Sequence, residues 1–141
     1  MTTLERPIPD LATSDQNEYW RATADRRLLH RRCSACSAPL PLVRRHCHHC
    51  GSRELGWRES AGRGTVYTYT VIRRHPHPYF RGRTPYVLAY VDLDEGPRML
   101  AEIEADPGSV TIGHRVELAW AEAGEINVPI FRLRDVDEEE S

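Results

Sequence analysis

Lysine is missing from this chain: all nineteen basic residues among its 141 are arginine. That removes the amine of a Schiff-base catalyst and the phosphate-gripping lysine of a P-loop. No Gly-x-Ser-x-Gly elbow and no His-Glu-x-x-His pair occurs, so the residues of a serine-hydrolase elbow or a zinc-protease helix are not present. Long apolar runs are lacking too. No stretch approaches the roughly 20 residues a membrane helix needs, and Met1 to Asp10 carries neither a basic nor an apolar leader, so a cytoplasmic chain without a membrane segment is expected. What is present is an ordinary globular composition, 40% hydrophobic and 28% charged with a formal net charge of −2, enough for one domain or two small ones.

The charge is uneven. Arg21 to Arg63 holds ten arginines against three acids, whereas Asp92 to Ser141 holds four against fourteen. Residues 1–14, with Pro7 and Pro9, read as an extended arm. Asp15, three residues before Glu18, opens an amphipathic helix over 15–31, in which Tyr19, Trp20, Ala24, Leu28 and Leu29 recur at helical spacing. Residues 32–59 read as a metal ribbon, since from Cys33 to Gly51 there are too few large apolar side chains to hold the segment together by burial. Alternating strands follow at Thr65 to Ile72, Tyr86 to Leu93, Arg98 to Glu104, Arg115 to Ala121 and Pro129 to Arg134, and residues 135–141 form an acidic tail. Five short strands over 60–134 without a βαβ helix predict an antiparallel five-stranded barrel of the OB type, in a chain that is mainly β.

The four cysteines fall in two pairs, Cys33-Ser-Ala-Cys36 and Cys47-His-His-Cys50, ten residues apart. A two-residue gap turns both sulfurs of a pair inward, and two facing pairs supply the four-thiolate cage that Zn²⁺ prefers. Iron also fits such a cage. A disulfide pairing needs an oxidising compartment, and a thioredoxin-like site uses one such pair at a helix start, not two facing each other. Arg31, Arg32, Arg44 and Arg45 could offset the charge of four thiolates around a dication, and Gly51 permits a turn that points N–H groups at sulfur. His46, His48 and His49 either project into solvent or replace a sulfur. A closed four-sulfur shell leaves no place for water, so the metal is expected to be structural.

Together the Tyr19-Trp20 helix, the four-cysteine ribbon, the block Ser60-Ala61-Gly62-Arg63-Gly64-Thr65-Val66-Tyr67-Thr68-Tyr69-Thr70-Val71 and the block from Pro85 to Arg98 resemble the zinc-ribbon OB-fold proteins associated with acyl-CoA, catalogued as domain of unknown function thirty-five. The resemblance covers about Tyr19 to Leu133. It implies an N-terminal helix, a rubredoxin-like ribbon and a C-terminal OB barrel. It further implies a small non-catalytic partner of thiolase-fold enzymes, including acetoacetyl-CoA and hydroxymethylglutaryl-CoA assemblies, polyketide acyltransferases and lipid-transfer-like aldolases that cleave steroid side chains.

Between the first two long strands, Arg73, Arg74, His75, Tyr79, Phe80, Arg81 and Arg83 are candidates for binding coenzyme A. Guanidinium groups match phosphate oxygens in a bidentate way, and the rings could stack on adenine. The alternative is a solvated loop whose prolines block edge pairing. Tyr19 and Trp20 are candidate partner-docking side chains, or else pack against the chain's own barrel. By period two, Tyr67 and Tyr69 share one strand face, and Tyr86, Leu88 and Tyr90 align on another. Core filling is the simpler reading, base stacking the other. No spacing among His75, His77, His114 and the carboxylates makes a poised acid–base pair, so no catalytic residue is assigned. The expectation is therefore a non-catalytic zinc-binding subunit that positions an acyl-CoA thioester on a thiolase-fold or lipid-transfer-like enzyme, with a single-stranded nucleic-acid binder as the alternative.

Overall fold

The computed structural model describes residues 6–8, 17–40 and 45–134. The capping role expected of Asp15, most of the N-terminal arm, Arg44 and the acidic tail lie outside these residues. Helix α1 runs Asn17–Ala24, and not to residue 31 as its apolar spacing predicts. It ends in a Schellman turn. Arg26 takes the left-handed conformation (φ 59°) and donates its N–H to the Thr23 carbonyl at 2.9 Å, while Arg27 N–H reaches the Ala22 carbonyl at 2.9 Å. The side chain of Asn127 adds a second bond to the Thr23 carbonyl at 3.0 Å and reaches the otherwise orphaned Ala24 carbonyl at 3.4 Å. The chain leaves the helix extended, so Leu29 and His30 belong to a strand.

That strand, β1 (Leu29–Cys33), lies between β2 (Pro39–Leu40) and β3 (Leu55–Glu59) in an antiparallel sheet of order β2-β1-β3. β1 and β3 are in register from Leu29↔Glu59 to Cys33↔Leu55. Among the described residues, the ribbon's apolar centre is Cys33, Leu40 and Cys47 with Ala38 and Leu55 against them.

Five strands then close a barrel in the order β4-β5-β6-β8-β7: β4 (Arg63–Ile72), β5 (Tyr86–Leu93), β6 (Arg98–Ile103), β7 (Arg115–Ala123) and β8 (Ile126–Leu133). Four neighbouring pairs are antiparallel, and the pair that closes the barrel, β6 with β8, is parallel at Ile103↔Phe131. Val87, Ala89, Val91 and Leu93 alternate into the core of β5, where they meet Val66, Ile103, Val116 and Phe131. Tyr19 and Leu28 join the same cluster, so helix and barrel share one core. Gly64 permits the close approach of β4 to β5: a Cβ there would lie 2.6 Å from the Asp92 carbonyl oxygen.

Period two does not hold along all of β4. A bulge shifts the register between Val66↔Val91 and Thr68↔Tyr90, so Tyr67 faces out while Tyr69 packs against the core. Tyr67 and Tyr69 therefore do not share a face, and Tyr67 and Tyr90 do not fill the core. No helix among the described residues is long and apolar enough to cross a membrane.

Candidate functional site

The two cysteine pairs build matching knuckles. In the first, Ser37 N–H bonds to the Cys33 carbonyl and Cys33 N–H to the Ala38 carbonyl, both at 2.9 Å; in the second, Gly51 bonds to Cys47 at 2.9 Å and Cys47 to Ser52 at 2.8 Å. Ser37 (φ 65°) and Gly51 (φ 77°) hold the same left-handed position. This local repeat is invisible in composition because one knuckle uses serine where the other uses glycine.

The knuckles bring four free thiols to one point, every Sγ within 4.8 Å of the others. Cys33–Cys50 and Cys36–Cys47 are each 3.6 Å apart. A tetrahedral ion with bonds of about 2.3 Å to sulfur requires S···S edges of about 3.8 Å, so the donor set fits zinc with little movement. The N–H groups of Cys36 and Ala35 pull the Cys33 thiol down, and those of Cys50 and His49 pull Cys47 down to about 6. The Ala38 N–H pulls on Cys36 as well, but its bond to the Cys47 sulfur and its burial outweigh that and push it up to about 12; Cys50 also shifts up. Cys33 and Cys47 are thus shifted toward the thiolate form and Cys36 and Cys50 away from it, and a dication bound by all four would displace the thiol protons. His46, His48 and His49 are exposed. Two of the four expected counter-charges have partners other than sulfur: Arg31 lies over the Trp57 ring at 4.4 Å, and Arg32 donates to the carbonyls of Ser37 (2.6 Å) and Glu95 (2.8 Å).

A second candidate region is the outer face of β4–β5–β6. Tyr67, Tyr90 and Leu100 are 50%, 46% and 52% exposed, and Tyr90 pairs directly with Leu100 across the strands. Arg98 lies over Tyr67 at 3.4 Å and bonds Asp92 at 2.6 Å. The face is apolar with a neutralised rim; the bulge turns Tyr67 outward, and Tyr90 lies on the side of β5 opposite Val87, Ala89 and Val91.

The arginine loop is more ordered than its prolines suggest. Pro78–Arg81 forms a single helical turn, α2, capped by His77 Nδ1, which accepts the Tyr79 N–H at 3.1 Å; His75 Nδ1 accepts the His77 N–H at 3.0 Å. Phe80 packs on His75 (4.7 Å) and Tyr86 (5.6 Å), and Tyr79 is flanked by Arg6 (5.0 Å) and Arg83 (5.2 Å). Arg81 donates to the Pro76 carbonyl at 2.6 Å, and Arg83 stands 3.7 Å from Glu102. The rings expected to stack on adenine are therefore covered within the chain. Arg73 and Arg74 are exposed and form no hydrogen bond or ion pair among the described residues. Tyr19 is buried in the core, which removes it as a docking side chain, while Trp20 stands half-buried edge-on to it at 4.9 Å.

A family model described as ChsH2, C-terminal OB-fold domain, matches residues 57–121. A "probable enoyl-CoA hydratase alpha subunit" of Thermomonospora curvata is 40% identical over 139 residues, 96% of this chain; the chain spans 42% of that relative's length. A "benzoylsuccinyl-CoA thiolase subunit BbsA" of Geobacter metallireducens is 32% identical, over 62% of this chain and 57% of its own. Among solved structures, a chain of the "Ltp2-ChsH2(DUF35) aldolase" superposes with a TM-score of 0.78 at 38% identity, covering 91% of this chain and 98% of that one. A "DUF35 domain-containing scaffold protein" of Pyrococcus furiosus is 35% identical over 72% of this chain and 75% of its own. With a helix, a cysteine ribbon and a closed barrel, and with these identities, the chain belongs to the DUF35 OB-fold family.

Proposed function

We propose that this chain is a non-catalytic accessory subunit that holds one structural zinc ion on Cys33, Cys36, Cys47 and Cys50 and docks on a thiolase-fold or lipid-transfer-like enzyme acting on an acyl-CoA thioester. The observation that carries the docking role is the exposed Tyr67–Tyr90–Leu100 face, a contiguous apolar surface of the kind that marks interaction sites. The names of its relatives, two of them subunits of CoA-ester enzymes and one a scaffold protein, support the same class.

The zinc would fix the ribbon without taking part in chemistry, since four sulfurs close its shell. The enzyme would supply nucleophile and base. His75 and His77 are spent on the loop's own turn. Arg73 and Arg74, the loop arginines without partners among the described residues, would take the coenzyme A phosphates, so the contribution of this chain is positioning. The reduced thiols suit a cytoplasmic setting.

Co-expression with a thiolase-fold or lipid-transfer-like enzyme of the same genome tests this reading. A complex of fixed ratio by light scattering, with acyl-CoA turnover that requires this chain, is expected. Separate elution with a fully active enzyme would overturn it. Exposed tyrosines on an OB barrel also suit single-stranded nucleic acid. Against that reading, Arg98 is already paired with Asp92 and the net charge is −2. Salt-sensitive oligonucleotide binding in place of enzyme binding would favour it.

A further inference from the structure

Beside the exposed face lies a groove of about 550 Å³. Leu100 and Ala101, consecutive on β6, both border it, although the first side chain is 52% exposed and the second is buried in the core. Pro129 and Ile130, consecutive on β8, border it too. Neighbours on a strand point to opposite faces, so a groove that touches both runs along the strand's edge and not over one face. The two edges part because β6 and β8 are in register at only one pair, Ile103↔Phe131.

The backbone of the β6 edge is aimed into this groove. Leu93 donates its N–H to the Pro97 carbonyl, and the β5–β6 register runs unshifted from Asp92↔Arg98 to Val87↔Ile103. Met99, Ala101 and Ile103 therefore turn their peptide groups to β5, and Arg98, Leu100 and Glu102 turn theirs away. Glu104 keeps the same phase, its N–H reaching the Phe131 carbonyl at 2.7 Å. Among the described residues no strand pairs with Arg98 or Leu100 on that side. The β8 edge offers less: the phase set by Phe131 points Pro129 into the groove, and proline has no N–H. At the Glu102 end one carboxylate faces two guanidiniums, Arg6 at 3.1 Å and Arg83 at 3.7 Å, which leaves an excess of positive charge.

We infer that the partner enzyme lays an extended apolar segment carrying an acidic residue into this groove, where its backbone pairs with the free peptide groups of Arg98 and Leu100 as an added strand. An open edge is complemented by another extended backbone, whereas an acyl chain or an aromatic ring would leave those groups unpaired. The acidic residue answers the surplus of arginine around Glu102. The inference rests on the docking reading above and deepens it: the Leu100 side chain belongs to the exposed face and its backbone to the edge.

The test has two arms. In the first, the full chain is titrated with the capped peptide acetyl-Val-Ser-Val-Ser-Val-Asp-amide and with its two alternately N-methylated forms, which keep every side chain. The parent peptide should slow exchange of the Leu100 amide at least about tenfold. The form whose methyl groups face β6 should bind at least about tenfold more weakly, and the other form as the parent does. Leu100→Pro removes the edge N–H without touching a bond to β5 and should abolish peptide binding; if that variant does not fold, the N-methylated pair decides alone. A chain that binds none of the three peptides, or all three equally, would overturn the inference. In the second arm, the Arg98 and Leu100 amides should exchange at least about tenfold more slowly in the enzyme complex than in the free chain. A complex of fixed ratio in which both amides exchange as in the free chain would overturn the inference and leave the subunit reading standing. Absence of any complex would overturn the subunit reading, and the peptides would still decide whether the edge takes a strand.

Discussion

Arg32 Nη2 donates to the backbone carbonyl of Glu95 across 2.8 Å, and this bond ties the strand that carries Cys33 to the β5–β6 turn of the barrel. The Glu95 carboxylate completes the joint by accepting Ser60 Oγ and Ala61 N, each at 2.8 Å. Gly96 (φ 117°) packs so closely on the ribbon that a Cβ there would lie 2.9 Å from Pro39 Cγ.

Glu95→Ala should therefore lower unfolding stability by about 1.5–3 kcal/mol, the usual cost of hydrogen bonds to a charged group. Burial opposes the Glu95 charge, but the Ala61 N–H and Ser60 O–H outweigh it and hold the carboxyl below 4.5. A carboxyl lowered by folding stabilises above its unfolded value, so this contribution is intact above pH 4.5 and is lost as pH falls below it. Denaturant titrations of parent and variant should converge in that window.

His30 titrates earlier. Its side chain is buried, Nδ1 has no partner among the described residues, and burial holds the imidazole below 6.5 against the pull of Glu95. A lowered histidine favours the folded state above its unfolded value, so stability should decline as pH drops below 6.5, before Glu95 responds. His30→Leu should flatten the curve just below pH 6.5 relative to the parent. Parallel curves would show that His30 is not the source.

The knuckle repeat makes a prediction in opposite directions. Ser37 adopts at φ 65° what Gly51 adopts at 77°, and an L-residue pays about 1–2 kcal/mol there. Ser37→Gly should stabilise the ribbon by up to about 1 kcal/mol, and Gly51→Ala should destabilise it by a similar amount. The Arg32 bond to the Ser37 carbonyl is retained in the first variant. Thermal midpoints of the metal-loaded chain decide both.

Removing the metal should act on one half of the molecule. Among the described residues, the ribbon's own cluster has three buried members, whereas the core that the barrel shares with the helix has twelve. Binding of the proposed structural zinc, about 10–16 kcal/mol in finger peptides, would then be the larger part of what holds the ribbon. Chelation should open residues 33–57 to proteolysis and leave the barrel intact. Equal cutting in both halves would contradict this. The metal-loaded chain should carry one zinc per chain by elemental analysis, with its thiols unreactive until chelation.

The sequence was informative where the signal is local. Two-residue gaps between cysteines and the alternation of Val87, Ala89 and Val91 each lie within a few residues, and the structure places them as expected. The helix end was hidden because the left-handed residue is Arg26 in place of glycine. The bulge at Tyr67 was hidden because register is set by β5, not by β4 alone. Arg6 could not have been chosen at all: its partner Glu102 is 96 residues away, and only the folded barrel brings an arm with no pattern of its own to that acid.

The most direct test of the docking account is hydroxyl-radical footprinting of the chain with and without its enzyme. Protection of Tyr67, Tyr90 and Leu100, with Tyr90→Glu preventing the complex while the chain remains folded, is the predicted result. Unchanged labelling of those three side chains in a stoichiometric, active complex would contradict it.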